Sequence, residues 1–156
     1  MSDPDPTRVV ADVDVLVADL LVGGAARDAL DLVRAHSWLV LVGTEALLDE
    51  SEAVIAELTD DSLARDWRER IDAEIEYVTP EARGHPAFVA AHASSAATIL
   101  SLDEQLQSAS VGAAIRSRLT TSIKSPDAFS SMVDPASLYE AIFEEPYPGA
   151  DRDPRG

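Results

Sequence analysis

The residues of this chain best suited to do chemistry are acids that directly follow apolar runs. The first run, at residues 9–11, leads straight into Asp12, with Asp14 two positions later, and a later run leads into Ser101 and Asp103. If both runs are strands of a parallel sheet, these side chains meet at its carboxyl edge, where α/β folds bind ligands. Carboxylates gathered there supply the hard oxygen donors that a divalent metal prefers.

The elements that must position these acids alternate between strand and helix. Predicted strands cover residues 8–11, 38–42, 75–78, 97–101 and 120–124. Predicted helices cover residues 13–21, 25–35, 45–58, 62–74 and 86–95, a stretch to about 119, and one or two segments within 127–143. This alternation predicts right-handed crossovers and a three-layer α/β/α sandwich with a mainly parallel sheet of four to five strands.

Local turn and cap signals mark three of the helix boundaries. Gly23 and Gly24 break the first two helices apart. Thr44 is suited to cap the third helix, and Pro86 to occupy the first turn of the fifth.

Length and composition bound the class of protein. The 156 residues predict a single domain over 8–144, between a flexible N-terminus at 1–7 and a flexible acidic tail at 145–156. Cysteine is absent, which excludes thiol catalysis, disulfides and zinc sites built on cysteine. With no apolar stretch of membrane-spanning length and no targeting segment in this sequence, we expect a cytoplasmic protein that does not enter membranes.

The charge balance is strongly acidic. Acidic residues number 29 against 12 basic ones, a net charge of −17, and Lys124 is the only lysine. This composition is typical of salt-adapted, archaeal-like proteins with hydrated surfaces, although a basic partner is an alternative explanation. Because molar salt screens phosphate attraction within a few ångströms, the acidity does not exclude a nucleic-acid substrate.

Four segments with this order of elements carry a family resemblance. They are Asp12-Val13-Asp14-Val15-Leu16, Thr44-Glu45-Ala46-Leu47-Leu48-Asp49-Glu50, Ser101-Leu102-Asp103 with Leu106, and Ile123-Lys124-Ser125-Pro126-Asp127-Ala128-Phe129. Together they resemble the PIN domain family of metal-dependent ribonucleases over residues 8–133. The resemblance implies hydrolysis of RNA phosphodiester bonds with Mg²⁺ or Mn²⁺, with Asp12, Glu50 and Asp103 as catalytic metal ligands and Asp14 and Ser101 in support.

One position departs from the family pattern. In the family, the third acid begins the helix that precedes the strand leading into the Ser101-Leu102-Asp103 segment. His85 stands in that place here, directly before Pro86. The metal ligands expected from the resemblance are therefore Asp12, Glu50, His85 and Asp103. A neutral histidine can ligate Mn²⁺ but suits Mg²⁺ poorly.

Each of these residues also has a structural interpretation. Asp12 can cap a helix, and Asp103 can cap a turn. Glu50 can be one solvated acid among several, and His85 can be the residue at which a helix begins. The alternative function is a non-catalytic PIN-like scaffold that binds a partner protein or RNA. A response-regulator receiver is disfavoured, because residues 44–74 are predicted to be helical where that fold needs a strand ending in an acceptor aspartate.

Substrate and partners are less constrained by the sequence. Arg116, Arg118 and Lys124 form the densest basic group and are candidates for phosphate contacts, with a solvated face as the alternative. The resemblance implies a homodimer, for which the apolar residues Trp67, Tyr139 and Phe143 are candidates. It also implies an antitoxin or other protein partner, since toxins of the family are paired with one.

Overall fold

The structure, a computed structural model, describes residues 4–80, 83–104 and 121–154. These residues form five strands and seven helices. The strands are β1 (Asp5–Ala11), β2 (Val40–Gly43), β3 (Ile75–Tyr77), β4 (Ala96–Leu100) and β5 (Ser122–Lys124). The helices are α1 (Val13–Leu21), α2 (Gly24–Arg34), α3 (Glu45–Leu58), α4 (Asp61–Glu74), α5 (Pro86–Ser94), α6 (Pro126–Met132) and α7 (Pro135–Phe143). None of these helices has the length and apolar character needed to cross a bilayer.

The strands form one parallel sheet in the order β3-β2-β1-β4-β5. Helices cover the sheet in a three-layer α/β/α sandwich, which confirms the predicted fold class. The predicted helical stretch that ends near 119 lies mostly outside the described residues.

Strand β1 lies at the centre of the sheet because its apolar run is suited to burial on both faces. Val9, Val10 and Ala11 are all at most 1% exposed. In register, Ala11 pairs with Leu100 of β4. The ladder continues beyond the strand, since the Asp12 N–H donates to the Leu100 carbonyl at 2.9 Å. The residue after β1 therefore lies beside the end of β4.

The strand order creates a topological switch point at this place. The chain adds β2 and β3 on one side of β1, and β4 and β5 on the other. Crossovers that leave a central strand in opposite directions open a crevice at the carboxyl ends of the strands. The predicted meeting of the residues after β1 and β4 follows from this topology.

Local sequence signals end and begin the helices as predicted. Gly23 lies between α1 and α2 with φ of +81°, and Gly24, the first residue of α2, has φ of +55°; both values lie in a region that favours glycine. The buried Thr44 caps α3, its hydroxyl accepting from the Leu47 N–H at 3.2 Å. Pro86 occupies the first turn of α5. The region predicted to hold one or two helical segments contains two, α6 and α7, which Val133 and Asp134 separate.

Two tryptophans differ from expectation. Trp38, predicted to begin β2, lies in the preceding turn, where its ring contacts Tyr139 and Phe143 edge-on. Trp67, predicted to be exposed at a dimer interface, is 5% exposed and belongs to the core. The prediction for Trp67 was wrong because α4 turns its Ala64-Trp67-Ile71 face inward. Phe143 stays 42% exposed, and Tyr139 is half-buried.

The described residues near each end of the chain make more contacts than a frayed segment would. Strand β1 begins at Asp5, whose N–H donates to the Ser95 carbonyl at 2.7 Å, and not at residue 8 as predicted. Near the other end, Tyr147 hydrogen-bonds the buried His36, and Asp151 accepts hydrogen bonds from the Ser37 N–H and hydroxyl. Part of the segment expected to be a flexible tail therefore lies against the loop after α2.

A partly buried ionic cluster around Arg34 joins three helices. Arg34 at the end of α2 lies 2.6 Å from Asp19 of α1, 3.0 Å from Glu74 of α4 and 3.1 Å from Asp31. Asp19 is 6% exposed. The cluster fixes α1 and α4 against α2, and so holds in place α1, the helix that begins beside the switch point.

Candidate functional site

A groove of about 520 Å³ occupies the switch point and gathers the acids that the sequence singled out. Its polar lining residues come from the ends of β1 and β4 and from α1, α3 and the N-terminus of α5. They are Asp12, Asp14, Glu50, His85 and Asp103. The structure therefore brings all four predicted metal-site residues to one surface, although they are up to 91 positions apart in sequence.

Asp12 has both a structural and a potentially chemical role. Its side chain caps α1, because Oδ1 accepts from the Val13 N–H at 2.8 Å. The residue is 8% exposed, and its other oxygen, Oδ2, lies 3.7 Å from Nε2 of His85. The structural interpretation of Asp12 thus accounts for one oxygen, and the second is directed toward the groove.

Asp14 joins the start of α1 to the end of β4. Its Oδ2 accepts from the Leu102 N–H at 3.0 Å and lies 3.5 Å from the Ser101 hydroxyl. Its Oδ1 is buried and has no hydrogen-bond partner among the described residues. Burial, and next the negative charge of Asp12, raise the pKa of Asp14, while the Leu102 N–H acts in the opposite direction. These two neighbouring carboxylates are the part of the site best prepared for a cation.

The end of β4 is ordered by a buried serine. Ser101 is fully buried, and its hydroxyl accepts from the Asp103 N–H at 3.1 Å. The Asp103 side chain is exposed at the rim of the groove, as is Glu50 on α3. Ser101 therefore contacts both Asp14 and the loop that carries Asp103.

The acids share a groove but do not converge on one point. Among residues 4–80, 83–104 and 121–154, no three His, Asp or Glu side chains are close enough together to hold a metal ion. Oxygen donors of the right type are present, and the unpartnered Oδ1 of Asp14 fits a cation ligand. Carboxylate oxygens are the type of ligand that Mg²⁺ and Mn²⁺ prefer, but in the described residues the rim acids Glu50 and Asp103 are not gathered with Asp12 and Asp14 at one point.

The basic residues expected to contact phosphate are partly placed. Lys124 ends β5, and its carbonyl accepts from the Ser101 N–H at 3.0 Å, so it lies on the same edge of the sheet as the groove. Lys124 does not line the groove. Arg116 and Arg118 lie outside the described residues.

Sequence reasoning missed that the groove has an apolar half. Beyond the acids it is lined by Val17 and Leu21 of α1 and by Val54 and Leu58 of α3. Leu58 is 63% exposed, and Val22 at the outer end is 80% exposed. The spacing of four between Val13, Val17 and Leu21 was the available signal, but the sequence does not say whether such a stripe faces the core or a groove.

Family comparison covers almost the entire chain. A model of a family of unknown function, DUF7384, matches residues 3–155. The chain belongs to this family. No curated protein and no solved structure matches the chain. Family membership therefore assigns no activity, and the function must be argued from the groove.

Proposed function

We propose that this protein is a PIN-like, divalent-metal-dependent ribonuclease that hydrolyses RNA phosphodiester bonds at the β1/β4 groove. The observation that carries the proposal is the Asp12 and Asp14 pair at the switch point. One oxygen of each carboxylate is fixed by a backbone N–H, Oδ1 of Asp14 is buried without a partner, and the two negative charges are close enough to interact. A cation bound by both would relieve this repulsion.

The residues of the groove have distinct roles in this proposal. Asp12 and Asp14 would hold the cation, with Glu50 and Asp103 contributing from the rim and Ser101 keeping Asp14 oriented. The chemistry that a divalent cation supplies at such a site is activation of water and neutralisation of charge on the phosphate. Lys124 is proposed to contact a flanking phosphate from the same edge of the sheet.

A second candidate function is a non-catalytic scaffold that binds RNA or a partner protein. It is favoured by the separation of the acids, since no three side chains in the described residues surround a common point. The exposed apolar half of the groove also suits a binding surface. In both cases we place the protein in the cytoplasm of a salt-adapted organism.

Metal binding is the experiment that separates the two functions. Calorimetry with Mn²⁺ and Mg²⁺ in high salt compares the wild type with Asp12→Asn and with Asp12→Asn/Asp103→Asn. Asparagine also caps helices well, so the start of α1 is retained. Asp28→Asn, at an exposed position on α2, is the matched control for loss of one charge.

We expect Mn²⁺ to bind the wild type and the control, with affinity reduced about tenfold or more in Asp12→Asn and further in the double variant. RNA cleavage should require the metal and fall in the same order. A wild type that binds neither cation and cleaves no RNA would contradict the ribonuclease proposal, and the non-catalytic scaffold would be the remaining candidate function.

A further inference from the structure

His85 is held at the groove by two contacts on one side of its ring. It is the N-cap residue of α5, and its Nδ1 accepts a hydrogen bond from the Ala87 N–H at 3.2 Å. The ring also packs edge-on against Phe88, with centroids 5.4 Å apart. These contacts orient the opposite edge of the ring, which carries Nε2, toward Asp12.

The contact at Nδ1 determines where the ring proton lies. A ring nitrogen that accepts from an N–H uses its lone pair and carries no proton, so the neutral imidazole has its proton on Nε2. Nε2 is 3.7 Å from Oδ2 of Asp12, which is too far for a direct hydrogen bond. His85 therefore presents an N–H donor to the groove.

A metal ligand needs the opposite arrangement. Nε2 would have to offer a lone pair, and the proton of the neutral ring would then lie on Nδ1. That proton would face the Ala87 N–H, donor against donor, and α5 would lose its N-cap. The local structure of α5 thus opposes the ligand role that the resemblance implied for His85.

We propose that His85 contacts substrate as a hydrogen-bond donor, through Nε2, to a phosphate oxygen, and does not ligate the metal. This inference rests on the proposed function. Among the described residues that line the groove, His85 is the one whose side chain carries an N–H donor, whereas the charged groups beside it are carboxylates. A phosphate oxygen in such surroundings is stabilised by a donor, because hydrogen bonds to charged acceptors are the stronger kind.

Two variants separate donation from ligation. His85→Asn keeps a residue that caps helices but shortens the side chain, so that no donor reaches the position of Nε2. His85→Gln brings an amide N–H close to that position. We expect the Asn variant to lower RNA cleavage about 10- to 100-fold, the Gln variant to recover most of it, and both to bind Mn²⁺ with unchanged affinity in calorimetry.

An independent readout comes from long-range ¹H–¹⁵N spectra of the metal-free wild type, with the His85 signals identified by their absence in His85→Gln. We expect the Nε2–H form. An Nδ1–H form, full cleavage by His85→Asn, or a Mn²⁺ affinity reduced about tenfold in both variants would overturn the role of His85 alone. A wild type that neither binds metal nor cleaves RNA would instead contradict the proposed function, and with it the contact between His85 and a phosphate.

Discussion

At the scale of single residues, the site depends on two neighbouring carboxylates, Asp12 and Asp14, whose negative charges repel each other. Burial and the neighbouring Asp12 raise the pKa of Asp14 above the ordinary value of 3.8. Because this pKa is higher in the folded than in the unfolded chain, ionised Asp14 destabilises the fold at neutral pH. The penalty is relieved as the pH falls through the raised pKa, and it is absent below the ordinary value.

The prediction is that Asp14→Asn stabilises the metal-free protein. The amide oxygen can still accept from the Leu102 N–H, but the charge is removed, so we expect Tm at pH 7 to rise by about 1–3 °C. The gain should vanish as the pH is lowered toward 3.8. Scanning calorimetry at a series of pH values measures the Tm difference between Asp14→Asn and the wild type, with Asp28→Asn as the exposed control. A lower Tm at pH 7 without metal would contradict the argument.

At the scale of elements, the start of α3 sets the position of one rim of the groove. It carries Glu50 to the rim, and it begins where β2 ends at Gly43. A Cβ at Gly43 would lie 2.8 Å from Cδ1 of Ile75 and 3.0 Å from Cδ2 of Leu48, so the strand end and the helix are closely packed. The direction of α3 is therefore set by its cap and by this contact.

Loss of the cap should destabilise the protein measurably. Thr44→Ala removes the oxygen that accepts from the Leu47 N–H in a buried position, and we expect a loss of about 1 kcal/mol in the free energy of unfolding. Thr44→Ser retains the oxygen and should lose less than half as much. Urea unfolding measures both variants, and equal losses would show that the methyl group, not the hydrogen bond, matters.

At the scale of the whole molecule, two arginines with similar partners allow burial to be compared with exposure. Arg34 contacts three carboxylates in the cluster that joins α1, α2 and α4. Arg68 also contacts three, Asp49, Glu52 and Asp72, but their side chains are 69%, 36% and 45% exposed. The Asp19 side chain beside Arg34 is only 8% exposed.

We expect Arg34→Met to cost about 3 kcal/mol, because it leaves buried Asp19 without its counter-ion. Arg68→Met should cost about 1 kcal/mol or less, since water can solvate its partners. Adding Asp19→Asn to Arg34→Met should recover part of the loss. Chemical denaturation measures all three variants, and equal costs at the two arginines would contradict the role of burial.

Much of the fold could be predicted because its signals are local. Three of these signals, the bounds of α1, the cap at Thr44 and the proline that opens α5, depend on residues within one or two helical turns of each other. The alternation of such elements along the chain then implies a parallel sheet. Their outcome is fixed by backbone hydrogen bonding and helical periodicity. Strand ends were less predictable, because an apolar residue can belong to a strand or to a turn whose side chain packs against another element. Trp38 is such a residue: it lies in the turn before β2, and its ring packs against Tyr139 and Phe143.

The site was predictable as a set of acids but not as a geometry. Sequence alone marked Asp12 and Asp103 as residues that follow strands, and the strand order then placed them in one groove. Only the tertiary structure decided that Ser101 and Leu102 bind Asp14 across 87 and 88 positions, that Trp67 is buried, and that Nε2 of His85 lies 3.7 Å from Oδ2 of Asp12. These outcomes depend on contacts between distant segments, and no local pattern encodes them.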